Sequence, residues 1–176
     1  MPTSATITIQ RRADFSSSHY FWVNEWSYDE NVRAFGVTAN RFGHGHNYEL
    51  IVAISGEVDV QTGMVMNLKE VKSLMESTVI HPLDFRCLNR QVPFFQDNQP
   101  TLEALSVYIY RRLQRALAEA NLQLAWIEIR ESRELAVLYD GTPVNGIHEA
   151  KVFWDSIDDE AGYAHDVTGT SRHAIV

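Results

Sequence analysis

Cysteine is almost absent. Cys87 is the only one in 176 residues, so no internal disulfide can form, and a reducing cytoplasm is the expected setting. Basic residues are also scarce, 15 against 23 acidic ones, giving a formal net charge of −8. With no basic cluster, the chain lacks the electrostatic footprint of a protein that binds nucleic acid or anionic membranes. No apolar run approaches the ~20 residues that a membrane-spanning helix needs. Met1 to Gln10 likewise lack the charged start and continuous apolar core of a secretory signal. What is present is ordinary for one globular domain with a single core, 45% hydrophobic and 22% charged.

Hydrophobic periodicity divides the chain. Ala5 to Ala13 and Asn47 to Val60 alternate as strands do, the second through Tyr48, Leu50, Val52 and Ile54. Trp22 to Phe42 is mixed and loop-like. Asn67 is the expected cap of a helix, with Glu70 as its reciprocal partner, Leu68, Val71, Met75 and Val79 as its apolar stripe, and Pro82 as its stop. Thr101 is the expected cap of a second helix striped by Leu102, Leu105, Ile109, Leu113, Ala116 and Ala120. Strand candidates Leu124 to Glu131 and Glu134 to Tyr139 follow. The order ββααββ predicts an α+β fold in which two helices cover one face of a four-stranded antiparallel sheet. Residues 1–140 read as the domain and 141–176 as an acidic extension containing Asp155, Asp158, Asp159, Glu160 and Asp166. In the latter part, His148, His165 and His173 are expected to face solvent.

The most informative stretch is Gly43-His44-Gly45-His46-Asn47-Tyr48, read with Phe15-Ser16-Ser17-Ser18-His19. In an extended strand, His44 and His46 project from the same face. His19, at the end of an earlier strand, can join them. Three neutral imidazoles with an open fourth position suit a catalytic zinc ion, Zn2+. The flanking glycines are expected to remove bulk where metal and ligand approach. Tyr20, Phe21, Trp22, Trp26 and Tyr28 are expected in the core or at a subunit interface.

These motifs, together with Thr62-Gly-Met-Val-Met-Asn-Leu68 and Pro82-Leu-Asp84, closely resemble the 6-pyruvoyl-tetrahydropterin synthase and 6-carboxy-tetrahydropterin synthase family over roughly residues 5 to 140. The resemblance implies the tunnelling fold, in which trimers close their sheets into a barrel and commonly stack as hexamers. It implies His19, His44 and His46 as zinc ligands and Glu131 as the carboxylate that anchors a pterin. Thr101 and Glu103 match part of the family's Thr-Thr-Glu-Asn stretch in the same pocket, while Leu102 and Ala104 depart from it.

The chain also departs where the family does its proton chemistry. Thr38 stands where a cysteine is expected six residues before His44, and Phe85 stands where a histidine should follow Asp84. A threonine hydroxyl is too weakly acidic to replace a thiolate, and phenylalanine transfers no proton. Asp84 remains as a candidate catalytic group, with His81 and Cys87 as relocated candidates nearby. Three readings stand open: a zinc-dependent lyase on a dihydropterin side chain with altered catalytic residues, a non-catalytic pterin- or purine-like binding protein, and a zinc hydrolase of another heterocycle.

Overall fold

The computed structural model describes residues 6–118 and 122–148. Residues 149–176, including most of the expected acidic extension with His165 and His173, lie outside them.

Two long strands form the spine. β1 (Ile7–His19) and β2 (His44–Gly56) pair antiparallel from Ile7↔Gly56 to His19↔His44 without a break. β4 (Gln123–Arg130) pairs antiparallel with β2, and β5 (Ala136–Tyr139) with β4. Between Ala53 and Ile54 the β2–β4 register shifts. Ala125 is the unmatched residue of this bulge, which increases the local twist of the sheet.

The expected four-stranded antiparallel sheet is in fact a mixed sheet of five strands ordered β3-β1-β2-β4-β5. The addition is β3 (Arg86–Cys87), which runs parallel to Ser17 and Ser18 of β1. Its cause lies just upstream. Asp84 Oδ1 accepts the Ser16 N–H at 2.7 Å, the Phe85 N–H donates to the Ser16 carbonyl at 2.6 Å, and Ser17 Oγ donates to the Leu83 carbonyl at 2.6 Å. These three bonds draw the chain along the edge of β1. Phe85 adopts φ 55 to make the turn, in the left-handed region that bulky residues avoid.

One face of the sheet carries the core. Phe15, Tyr48, Leu50, Val52, Ile54, Ile127 and Ile129 meet the helices α2 (Leu68–Met75) and α6 (Leu102–Ala118) there. Both expected caps exist: Asn67 Oδ1 accepts the Lys69 N–H at 2.9 Å, and Thr101 Oγ1 accepts the Ala104 N–H at 3.3 Å. Val71, Met75 and Val79 are buried as the stripe requires, whereas Leu68 is 49% exposed.

Pro82 does not stop the helix capped by Asn67 where expected. α2 widens into a π turn over Glu76–Ile80 and then α3 (His81–Leu83), with Pro82 in the first turn of α3. A missing N–H costs little there. The Thr78 carbonyl in the π turn accepts Arg112 Nε at 2.7 Å.

The segment expected as loop from Trp22 to Phe42 contains α1 (Tyr28–Phe35), started by a full capping box of Ser27 and Glu30. Its apolar stripe of Tyr28, Val32 and Phe35 is only two turns long, and α1 buries only Asn31. Short helices α4 (Leu88–Gln91) and α5 (Phe94–Asp97) complete the loops. Tyr20, Phe21 and Trp22 are half-buried, and Trp26 and Tyr28, expected in the core or at a subunit interface, are 43% and 69% exposed in the single chain.

Gly141 closes the chain over Tyr110 at φ +87, and a Cβ there would fall 2.5 Å from Tyr110 Cζ. Tyr110 is not free to retreat, since its hydroxyl donates to the Leu124 carbonyl and its ring packs edge-on against Tyr139. Gly141→Ala is expected to cost about 2–3 kcal/mol through strain and overpacking. Thermal denaturation should show Tm lowered by roughly 5–10 °C; an unchanged Tm contradicts this packing.

Candidate functional site

The site lies where the core face of the sheet runs out beyond its last apolar residues. Along β1 the face passes from Phe15 through Ser17 to His19, and along β2 from Leu50 and Tyr48 to His46 and His44. Phe15 and Tyr48 stack at 5.1 Å between ring centroids and form the floor beneath the imidazoles. Gly43, at φ +80 with the His19 carbonyl 3.0 Å from where a Cβ would be, supplies the turn into β2. Gly45 does not serve the metal approach expected of it: the two-residue period places it on the opposite face from His44 and His46.

The three histidines converge as the sequence predicts. Their candidate ligand nitrogens all lie within 4.8 Å of one another. His19 is buried, and His44 and His46 are half-buried. His19 Nδ1 is 2.7 Å from the Pro100 carbonyl oxygen. A carbonyl only accepts, so Nδ1 carries the hydrogen and Nε2 keeps its lone pair for the site. That Nε2 faces His44 Nε2 at 3.1 Å. In the metal-free protein, His44 fills this contact by carrying its hydrogen on Nε2 and donating it; a cation between the two nitrogens would take that hydrogen's place.

His46 Nε2 supplies the third donor. It lies 3.1 Å from Glu131 Oε1, yet the alignment makes no hydrogen bond and leaves this buried nitrogen unsatisfied. A buried polar atom without a partner is costly unless something else coordinates it. Three nitrogens aimed at one point, one of them orphaned, fit a zinc ion in donor type and number.

Electrostatics favour the neutral forms of His19 and His44. Burial pushes His19 down to about 4 from its ordinary 6.5; the Pro100 carbonyl opposes this, and the neighbouring His44 and His46 add to it. His44 is also lowered, first by burial and then by His46, with Glu131 opposing. Burial and Glu131 both raise the Tyr48 hydroxyl, which stays protonated.

The chain matches the profile of the family described as 6-pyruvoyl tetrahydropterin synthase over residues 8–142. The chain belongs to this family. The human 6-pyruvoyl tetrahydrobiopterin synthase is 40% identical over 133 residues, covering 76% of this chain and 90% of that protein. The solved 6-pyruvoyl tetrahydropterin synthase of Caenorhabditis elegans superposes with TM-score 0.73 at 32% identity, covering 81% of this chain and all of that one. A more distant relative is the dihydroneopterin monophosphate aldolase of Pyrococcus furiosus, 29% identical and covering 72% of this chain and 90% of that protein. The fold shared with the synthase structures is the α+β tunnelling fold.

Within this member of the synthase family, the other sequence candidates separate. Glu131, just past β4, reaches the histidines through His46. Thr101 caps α6 beside Pro100, while Glu103 is exposed on the first turn of that helix. Thr38 is near, because its carbonyl accepts the Phe21 N–H, but its hydroxyl donates to the Phe35 carbonyl at 2.6 Å. Asp84 is engaged with the Ser16 N–H. His81 is exposed on α3, with Nε2 4.0 Å from Glu76 Oε2. Cys87 pairs in register with Ser18, which places it on the face of the sheet away from His19. His148 is exposed, as expected.

Two contributors escaped the sequence. The Pro100 carbonyl is a backbone group and leaves no residue-type signal. Phe21 packs 5.0 Å from the His19 ring and 6.5 Å from the His44 ring, and its spacing of two from His19 was the available clue.

The depressed His19 value sets a pH window in the metal-free protein. Unfolded chains take up a proton near pH 6.5 that the folded site refuses until about pH 4, so stability is full above 6.5 and falls as pH drops toward 4. The loss is of order 3 kcal/mol. Denaturant unfolding of metal-free protein should show this decline, and His19→Asn should lack its share of it. Identical slopes in both proteins contradict the assignment.

Proposed function

We propose that the chain binds a zinc ion through His19, His44 and His46 and a pterin-type heterocycle against Glu131, and that it acts as a lyase on a dihydropterin side chain. The observation that carries this reading is the gathering of three ligand nitrogens within 4.8 Å, with the Glu131 carboxylate 3.1 Å from one of them. A bound zinc ion supplies Lewis-acid polarisation of substrate oxygens. Glu131 can accept two parallel hydrogen bonds from an amino-pyrimidinone edge and so orient the ring. Phe21 packs against the His19 and His44 rings.

In this reading, protons move through groups other than a thiol at position 38 and an imidazole at 85. A second reading, ligand binding without turnover, is favoured by the engagement of Thr38 with Phe35 and of Asp84 with Ser16. Trimer-based assembly, to trimers or hexamers, belongs to the same proposal. In its support, β3 covers only Ser17 and Ser18 of the β1 edge, and open strand edges need partners. No described helix is long and apolar enough to cross a membrane; a cytoplasmic setting fits the single cysteine.

The test is mass-spectrometric product analysis of zinc-loaded protein with 7,8-dihydroneopterin triphosphate. Loss of triphosphate or side chain that needs zinc supports the lyase. Substrate recovered intact, with binding still weakened at least about tenfold in Glu131→Gln, supports binding without turnover. Binding that is indifferent to Glu131→Gln contradicts the pterin site itself.

A further inference from the structure

Beyond His19 the β1 backbone loses its strand partners, since β3 ends at Cys87 and β2 begins at His44. Phe21 packs against the His19 and His44 rings, yet residues 20–23 have no regular secondary structure. Their backbone groups are satisfied mostly by amide side chains. Asn89 Nδ2 donates to the Tyr20 carbonyl and Asn89 Oδ1 accepts the Tyr20 N–H, both at 3.0 Å. Gln99 Oε1 accepts the Trp22 N–H at 3.1 Å, and Gln99 Nε2 donates to the Trp22 carbonyl at 2.6 Å. Asn31 does the same for Val23, at 2.7 and 3.0 Å. Each amide presents one donor and one acceptor in a plane and so imitates a neighbouring strand.

Gln99 differs from the other two because its own backbone also builds the site. Its carbonyl accepts the Thr101 N–H at 2.8 Å, closing a three-residue turn with Pro100 at the centre. The Pro100 carbonyl, aimed by that turn, holds His19 Nδ1 at 2.7 Å. One residue therefore ties the strand leaving His19 to the carbonyl that fixes the His19 ring. We infer that Gln99 is a positioning residue for the metal centre, acting through the Pro100 carbonyl and the Trp22 backbone to hold His19 in its ligating tautomer and orientation. This rests on the metal reading proposed above. Partners of ligating histidines set both tautomer and ring angle, and their loss commonly weakens a metal site by about 10–100-fold.

Gln99→Met keeps length and volume but removes both hydrogen bonds to Trp22. Asn98→Ala is the neighbouring control: the Asn98 side chain makes the same two-bond clamp, but on His148, at 3.2 and 2.9 Å, and donates to the Phe94 carbonyl at 2.9 Å, so its hydrogen bonds go to other segments than those of Gln99. Zinc affinity is measured by chelator competition on the full chain, and cobalt(II) absorption in the visible range reports ligand geometry. Gln99→Met is expected to lose about 10–100-fold in zinc affinity and to shift the cobalt bands, while Asn98→Ala keeps both within about twofold. Folded Gln99→Met with wild-type affinity and bands overturns the inference. Should that variant fail to fold, Gln99→Glu carries the test, since it keeps the acceptor for the Trp22 N–H and loses the donor. A loss of at least about threefold then supports the role, and unchanged affinity overturns it. Wild-type protein that binds neither zinc nor cobalt overturns the metal site itself, a result distinct from a site that binds metal without needing Gln99.

Discussion

The unbroken antiparallel pairing of β1 with β2 is the constraint on which the rest depends. Its rungs run from Ile7↔Gly56 at one end to His19↔His44 at the other, and the same alternation that buries Phe15, Tyr48, Leu50 and Val52 brings the histidines to one face. A slip of one residue would turn the apolar set outward and the histidines with it. Core burial and site assembly are thus one choice of register, and the free energy of the apolar face fixes the geometry of the polar end. At that end the strands have no further apolar residues to bury. Polar groups can therefore gather beside a solid aromatic floor of stacked Phe15 and Tyr48.

What surrounds the histidines is assembled without the side chains of Thr38 and Phe85. The three histidines are held by strand register, the Pro100 carbonyl and an aromatic flank, and Thr38 enters only through its backbone carbonyl, which accepts the Phe21 N–H. At those two positions the structure has other uses for the chain. The Thr38 hydroxyl finishes the turn after α1 by donating to Phe35. Asp84 and Phe85 bracket both backbone groups of Ser16 and bring β3 to the sheet edge, at the cost of a left-handed phenylalanine that is 86% exposed. An exposed phenylalanine in that conformation contributes little packing, so the bond it donates and the turn it makes are its structural roles.

The strands and their faces were legible because period-two alternation and buried β-branched or aromatic residues go together in Tyr48, Leu50, Val52 and Ile54. The histidine triad was legible for the same reason, with one extra step, that β1 should end beside the start of β2. The α1 helix was not, since its stripe of Tyr28, Val32 and Phe35 spans only two turns of an otherwise polar segment. β3 was not, because two residues held by backbone bonds to Ser16 and Ser17 carry no periodic signal. Nor were the amide clamps of Asn31, Asn89 and Gln99, which a sequence presents as ordinary polar loop residues. Side chains that satisfy distant backbone groups depend on tertiary proximity, which spacing alone does not encode.

The central claim is that His19, His44 and His46 hold one metal ion between their Nε2 atoms. Crystals grown with zinc, with anomalous diffraction recorded on both sides of the zinc absorption edge, test it most directly. The account predicts one strong edge-dependent peak about 2.0–2.1 Å from each of the three Nε2 atoms. A map with no such peak, or with zinc bound elsewhere while His46 Nε2 stays unpartnered, would contradict it.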